Sequence, residues 1–231
     1  MDKKKLRLLA IGLVILLLAS GLTAFFILAS GNEKSSSDVI RVACIGDSLT
    51  QSTEYPYDLW MLLGTSNYNL RNFGAGGTTV LLSSETPYMN MSVFQNALDF
   101  QPNLVIIMLG TNDAQPSLEP YNASFVGDYM KLVDAFQALA SKPKIWAVLP
   151  PPLFSNQSGR ITPEYFKLTV IPGIEQAANQ TNLPVINVYS ALVNYSSYFP
   201  DGEHPDSAGA KLIADEIYRG ISMQNATTPQ P

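Results

Sequence analysis

The sequence predicts an α/β domain whose parallel sheet is covered on both faces. Short apolar runs alternate with segments of helical period along the chain. The runs are apolar at every position rather than at every second one, as strands buried on both faces require. The chain has 231 residues. Without its apolar N-terminal segment it is still long enough for one medium-sized domain with a sizeable core.

Val39–Ile45 reads as the first strand and stops at Gly46-Asp47-Ser48. Tyr57–Leu63 reads as a helix. Tyr68–Phe73 is the second strand, followed by the glycine-rich stretch Gly74-Ala75-Gly76-Gly77-Thr78. Val93–Phe100 is a short helix. Leu104–Leu109 is the third strand and runs into Gly110-Thr111-Asn112-Asp113. Tyr129, Leu132, Val133, Phe136 and Ala140 lie on one helical face. Lys144–Leu149 is the fourth strand, halted by Pro150, Pro151 and Pro152. A helix follows over Tyr165–Ala178 despite Pro172, then a fifth strand over Val185–Val188. Ala210, Ile213, Ala214, Ile217 and Ile221 mark a closing amphipathic helix. The longest irregular stretches are 83–91, 115–124 and 150–162, none of them an apolar lid. Gln224–Pro231 reads as a disordered tail.

The segment Leu6–Ala29 is apolar apart from Arg7 and follows Lys3, Lys4 and Lys5. Such a run is long enough to span a bilayer, and its basic flank predicts that this end stays inside. A cleaved signal peptide is the alternative, with small residues at Ala29-Ser30-Gly31, although the run exceeds the usual apolar core of such peptides. Both readings put the domain outside the cytoplasm. The chain is thus expected to divide into a membrane anchor or signal segment (1–30), a linker (31–38), a folded domain (39–223) and the tail (224–231). Six Asn-x-Ser/Thr triplets, at Asn90, Asn122, Asn156, Asn179, Asn194 and Asn225, fit an exported surface that glycans can modify.

The first 30 residues carry +3 of the formal charge of −5, which leaves −8 on the rest. An acidic domain without a basic stripe excludes nucleic acid as a partner. Cys44 is the one cysteine and lies in a strand, so it reads as a buried thiol rather than a nucleophile. No His, Cys, Asp or Glu cluster has metal-ligand spacing, and no phosphate-cradling loop occurs, so no cofactor is expected.

Ligands of an open parallel sheet bind at the carboxyl ends of its strands. Ser48 follows the first strand, Gly77 the second and Asn112 the third. His204 is the single histidine and stands three residues after Asp201. If imidazole-based catalysis occurs, His204 must carry it. Each residue alone has a plainer reading: Ser48 as a helix cap, His204 as a surface turn residue, Asn112 and Asp113 as turn formers. Their convergence on one sheet edge favours chemistry. Asp47 and Asp113 read as loop carboxylates that hold backbone N–H groups.

Gly46-Asp47-Ser48-Leu49, Gly77-Thr78-Thr79, Gly110-Thr111-Asn112-Asp113 and Asp201-Gly202-Glu203-His204-Pro205 resemble the four blocks of the SGNH, or GDSL, hydrolases. The resemblance spans Arg41–Ile221. It implies a three-layer α/β/α sandwich with five parallel strands in a flavodoxin-like order. It also implies a triad of Ser48, Asp201 and His204, with Ser48, Gly77 and Asn112 as oxyanion donors. Gly74 is the alternative to Gly77. A serine hydroxyl needs a neighbouring base, and the oxyanion needs donors already aimed at it, so the residue types suit the roles.

The expected activity is serine-dependent ester hydrolysis, with O-acetyl groups of carbohydrates as the favoured substrate. A lysophospholipase or acyl-thioesterase is the alternative, and an O-acetyltransferase a further one. Trp60, Tyr55, Tyr57, Tyr88 and Tyr121 are aromatics that can stack on sugars or pack the core.

Overall fold

A computed structural model of the chain describes residue 2, residues 39–155 and residues 161–227. The expected anchor and linker lie outside the described residues, apart from Asp2. Among the described residues no helix is long and apolar enough to cross a membrane.

Five parallel strands form one sheet in the order β2-β1-β3-β4-β5. They are β1 (Ile40–Gly46), β2 (Tyr68–Gly74), β3 (Leu104–Met108), β4 (Lys144–Leu149) and β5 (Val185–Asn187). This is the doubly wound order, with the switch in direction between β1 and β3. The registers Gly46 opposite Gly74 and Gly46 opposite Met108 bring the ends of β2, β1 and β3 level with one another.

Alternate residues of each strand feed opposite cores. Ala43, Ile45, Val105, Ile107, Ile145 and Ala147 face one layer, and Val42, Cys44, Ile106, Met108, Trp146 and Val148 the other. The helices in chain order are α1 (Ser48–Gln51), α2 (Tyr55–Leu63), α3 (Ser92–Asp99), α4 (Asn122–Gln137), a composite α5 running from Pro163 to Gln180, α6 (Val188–Leu192) and α7 (Ser207–Thr227). The first layer is closed by Phe94 of α3, Tyr129, Leu132 and Phe136 of α4, and Ile174 of α5. The second is closed by Leu59 of α2 and Ile213, Ala214 and Ile217 of α7. Both sheet faces are dry, which explains the uninterrupted apolar runs.

Helix α5 comprises Pro163–Tyr165, a π-helical Phe166–Val170 and Ile171–Gln180. Pro172 has no N–H to return to the carbonyl four residues back, and the widened turn lies just ahead of it. Helix α4 begins at Asn122, and 3₁₀ turns cover Thr111–Ala114 and Pro116–Tyr121. The stretch 115–124, expected to be irregular, is therefore mostly helical. Helix α7 continues to Thr227, four residues into the expected tail, and residues 228–231 lie outside the description.

Candidate active site

Strand β1 turns into α1 within one residue. Asp47 caps α1, its Oδ1 accepting the Leu49 N–H at 3.0 Å. Ser48 is thus the first helical residue and not the cap, so its hydroxyl is free for other partners. The turn is tight because residue 46 is glycine: a Cβ there would sit 2.1 Å from Thr50 Oγ1 and 2.4 Å from the Met108 carbonyl.

Ser48 Oγ lies 2.8 Å from His204 Nε2, across 156 residues of sequence. On the other side of the ring, His204 Nδ1 lies 2.8 Å from Asp201 Oδ2. The carboxylate fixes the proton on Nδ1, which leaves the Nε2 lone pair to accept the Ser48 hydroxyl. Asp201 Oδ1 also accepts the N–H groups of Glu203 at 2.8 Å and His204 at 2.6 Å. Partial burial pushes the Asp201 carboxyl up, but the His204 N–H, the His204 ring and the Glu203 N–H outweigh it and hold the group below its ordinary value. The loop depends on Gly202 at φ +79°, which packs against Ser155. Phe154 N–H donates to the Gly202 carbonyl at 2.8 Å, and Ser155 Oγ donates to the Asp201 carbonyl at 3.0 Å. The segment after β4 therefore braces the Asp201–His204 loop.

The glycine-rich segment after β2 adjoins Ser48. Gly74 N–H donates to Asn72 Oδ1 at 2.8 Å, and Gly76 N–H to Gln51 Oε1 at 2.8 Å. The Gly74 N–H, the alternative donor, is thus already engaged by Asn72. The Gly77 N–H makes no hydrogen bond among the described residues. Asn112 is buried, and its Nδ2 donates to the Thr78 carbonyl at 3.0 Å. An amide nitrogen carries two hydrogens, so one remains available.

Two carboxyls lie beneath this surface. Asp113 accepts the N–H groups of Val80 and Leu81, each at 2.9 Å, and so ties the segment after β2 to the end of β3. Burial pushes its carboxyl up to about 7, against the lowering effect of those bonds. Burial likewise raises Asp47 to about 6. The Asp47 Oδ2 and Thr111 Oγ1 oxygens are buried with no hydrogen-bond partner among the described residues. Both carboxyls hold backbone, as their positions in the sequence suggested. Burial pushes the Cys44 thiol up to about 12, so it is not a thiolate near neutrality.

Most of the aromatics read as able to stack on sugars or pack the core are engaged within the fold. Tyr55 and Tyr88 are fully buried, with hydrogen bonds to Thr50 Oγ1 and the Phe73 carbonyl. Trp60 Nε1 donates to the Tyr68 carbonyl, Tyr57 is exposed on the same helix, and the Tyr121 side chain lies outside the description. Several neighbours carried no sequence signal. Glu203 Oε1 stands 3.9 Å from His204 Nε2. Thr86 Oγ1 donates to the Gly77 carbonyl at 2.9 Å, and Gln115 Nε2 to the Asn112 carbonyl at 2.8 Å. Thr86 and Gln115 act through backbone carbonyls, which no side-chain motif records.

Residues 44–212 match the GDSL-like lipase/acylhydrolase family. The chain is 32% identical over 210 residues to an acetylxylan esterase of Xylanibacter ruminicola, covering 80% of this chain and 43% of that one. It therefore spans less than half the length of that curated relative. Among solved structures, a lipase/acylhydrolase from Enterococcus faecalis superposes with a TM-score of 0.67 at 21% identity, covering 84% of this chain and all of the other. A carbohydrate acetylesterase from Sinorhizobium meliloti superposes with a TM-score of 0.65 at 21% identity, covering 80% and 99% of the two chains. These two likenesses concern the fold.

Proposed function

Because the chain belongs to the GDSL-like lipase/acylhydrolase family, we propose that it is a serine-dependent carboxylic ester hydrolase that removes O-acetyl groups from carbohydrates. One observation carries the chemistry: the unbroken relay Ser48–His204–Asp201, with both contacts at 2.8 Å.

The relay accounts for each step. Ser48 Oγ attacks the ester carbonyl carbon while its proton passes to His204 Nε2. Asp201 stabilises the resulting imidazolium. The carbonyl oxygen becomes an oxyanion facing the Ser48 N–H, the Gly77 N–H and the second hydrogen of Asn112 Nδ2. Each such donor lowers the barrier by about 3–4 kcal/mol. His204 then returns the proton to the departing alcohol oxygen, the C–O bond breaks, and an acyl group remains on Ser48. Water repeats the sequence: His204 takes its proton, the hydroxide adds to the acyl carbon, and Ser48 leaves with that proton. The products are a carboxylic acid and an alcohol.

The acetyl-sugar assignment is supported by the relative of Xylanibacter ruminicola named as an acetylxylan esterase. The basic-then-apolar start of the chain supports a location outside the cytoplasm, where polysaccharides are met. A chain-length series tests the substrate. Release of p-nitrophenol from acetate should exceed that from octanoate and longer esters, and acetylated xylan should release acetate. A preference for long acyl chains with no release from xylan would assign the enzyme to lipids instead.

A further inference from the structure

Next to the proposed oxyanion donors lies a cavity of about 340 Å³, at the small end of the roughly 300–1,000 Å³ of small-molecule sites. Residues 83–86, after β2, form one part of its lining. Gln115, Ser117 and Leu118, after β3, form another. Two lining residues touch the donors themselves, since Thr86 holds the Gly77 carbonyl and Gln115 the Asn112 carbonyl. The cavity therefore adjoins the backbone of the two residues that would hold the oxyanion.

Its chemistry is selective. Ser83, Ser84 and Thr86 bring hydroxyls, Gln115 an amide and Glu85 a carboxylate. Among the described residues, the side chains of Ser83, Glu85 and Ser117 make no hydrogen bond, and all three are exposed. Among the described residues no Lys, Arg or His lines the cavity, so a phosphate or carboxylate would meet Glu85 without a counter-charge from them. Among the described residues no aromatic ring lines it, so they offer a quaternary ammonium no cage. Among the described residues Leu118 is the one lining aliphatic side chain larger than a threonine, so an acyl chain would gain little from them by entering. A ligand rich in neutral hydroxyls satisfies this lining, because each hydroxyl both donates and accepts.

We infer that this cavity is a saccharide subsite, holding by hydrogen bonds the neutral sugar that carries, or neighbours, the reacting ester. This rests on the ester hydrolase reading above and deepens it: the carbohydrate specificity resides in the wall made by 83–86 and 115–117.

The test compares the wild-type chain with Ser83→Ala/Glu85→Ala on two substrates, p-nitrophenyl acetate and an acetylated xylo-oligosaccharide. The quantity read is the ratio of kcat/KM on the saccharide to that on the small ester, which cancels any loss from misfolding. Amide NMR shifts on adding xylotetraose report binding alone. The ratio should fall at least tenfold in the variant. Xylotetraose should shift the amides of 83–86 and 115–117 in the wild type only. A ratio within twofold of wild type overturns the inference. Should the wild type cleave the small ester and no acetylated saccharide, the substrate reading fails. Xylotetraose shifts at 83–86 would then still support the subsite, and their absence would overturn it as well.

Discussion

Asn112→Ala separates two jobs that one amide performs. One hydrogen of Asn112 Nδ2 goes to the buried Thr78 carbonyl at 3.0 Å, and the other is assigned to the oxyanion. Removing the first leaves a buried acceptor unsatisfied, at a cost of about 1–3 kcal/mol of stability. Removing the second raises the barrier by about 3 kcal/mol, or roughly two orders of magnitude in rate. The effects read out separately. A thermal melt records the stability loss. Steady-state hydrolysis of a short acetyl ester, well below the melting temperature, records the barrier. Since the donor acts on charge that develops in the transition state, kcat should fall much more than KM rises. A lower melting temperature with kcat within tenfold of wild type would refute the oxyanion role and leave Asn112 a loop tie. A rise in KM alone would make it a substrate-binding residue.

Gly202→Ala should cut kcat/KM at least tenfold with a smaller change in KM for a small ester, because φ is +79° and the new Cβ would lie 1.9 Å from Ser155 Oγ, forcing the Asp201–His204 loop from its brace; near-normal turnover would show that the loop tolerates the shift. Asp201→Asn should keep the fold but lower the rate by about three to four orders of magnitude, since the wrong imidazole tautomer is then favoured; full activity would reduce the relay to Ser48 and His204. Burial raises Asp113 to about 7 in the folded chain, above the unfolded value of about 3.9, so the fold holds a proton that the unfolded chain releases. Its contribution to stability is therefore present below about pH 4 and lost as pH rises to about 7. The melting temperature of wild type relative to Asp113→Asn should fall across that window, and a rise would contradict the buried, proton-holding carboxyl.

The strands were legible because both faces of the sheet are dry, so β1, β3 and β4 read as continuous apolar runs. Their ends agree with expectation to within a residue or two. The helices were less legible. α1 and α6 are four and five residues long, too short for a period to register. The start of α4 at Asn122 hides behind the turn-forming Pro116–Tyr121. The contacts of Ser48, His204 and Asp201 were anticipated because chemistry constrains those residue types. Gln51, Thr86, Gln115 and Ser155 were not, because each serves a backbone N–H or carbonyl and another polar side chain of similar reach could do the same. The aromatics were left with two readings, stacking on sugars or packing the core, for a related reason. Tyr55 and Tyr88 spend their hydroxyls inside the core, and composition cannot distinguish that from a sugar platform.

The account stands most directly on Ser48 as the nucleophile. Its hydroxyl is 2.8 Å from His204 Nε2, and Ser48→Ala removes the attacking oxygen while filling the same space with a methyl group. The measurement is kcat/KM of Ser48→Ala on p-nitrophenyl acetate beside wild type. A loss of at least about four orders of magnitude is predicted, with only residual hydrolysis from the oxyanion donors. Turnover within tenfold of wild type would contradict the relay and with it the proposed mechanism.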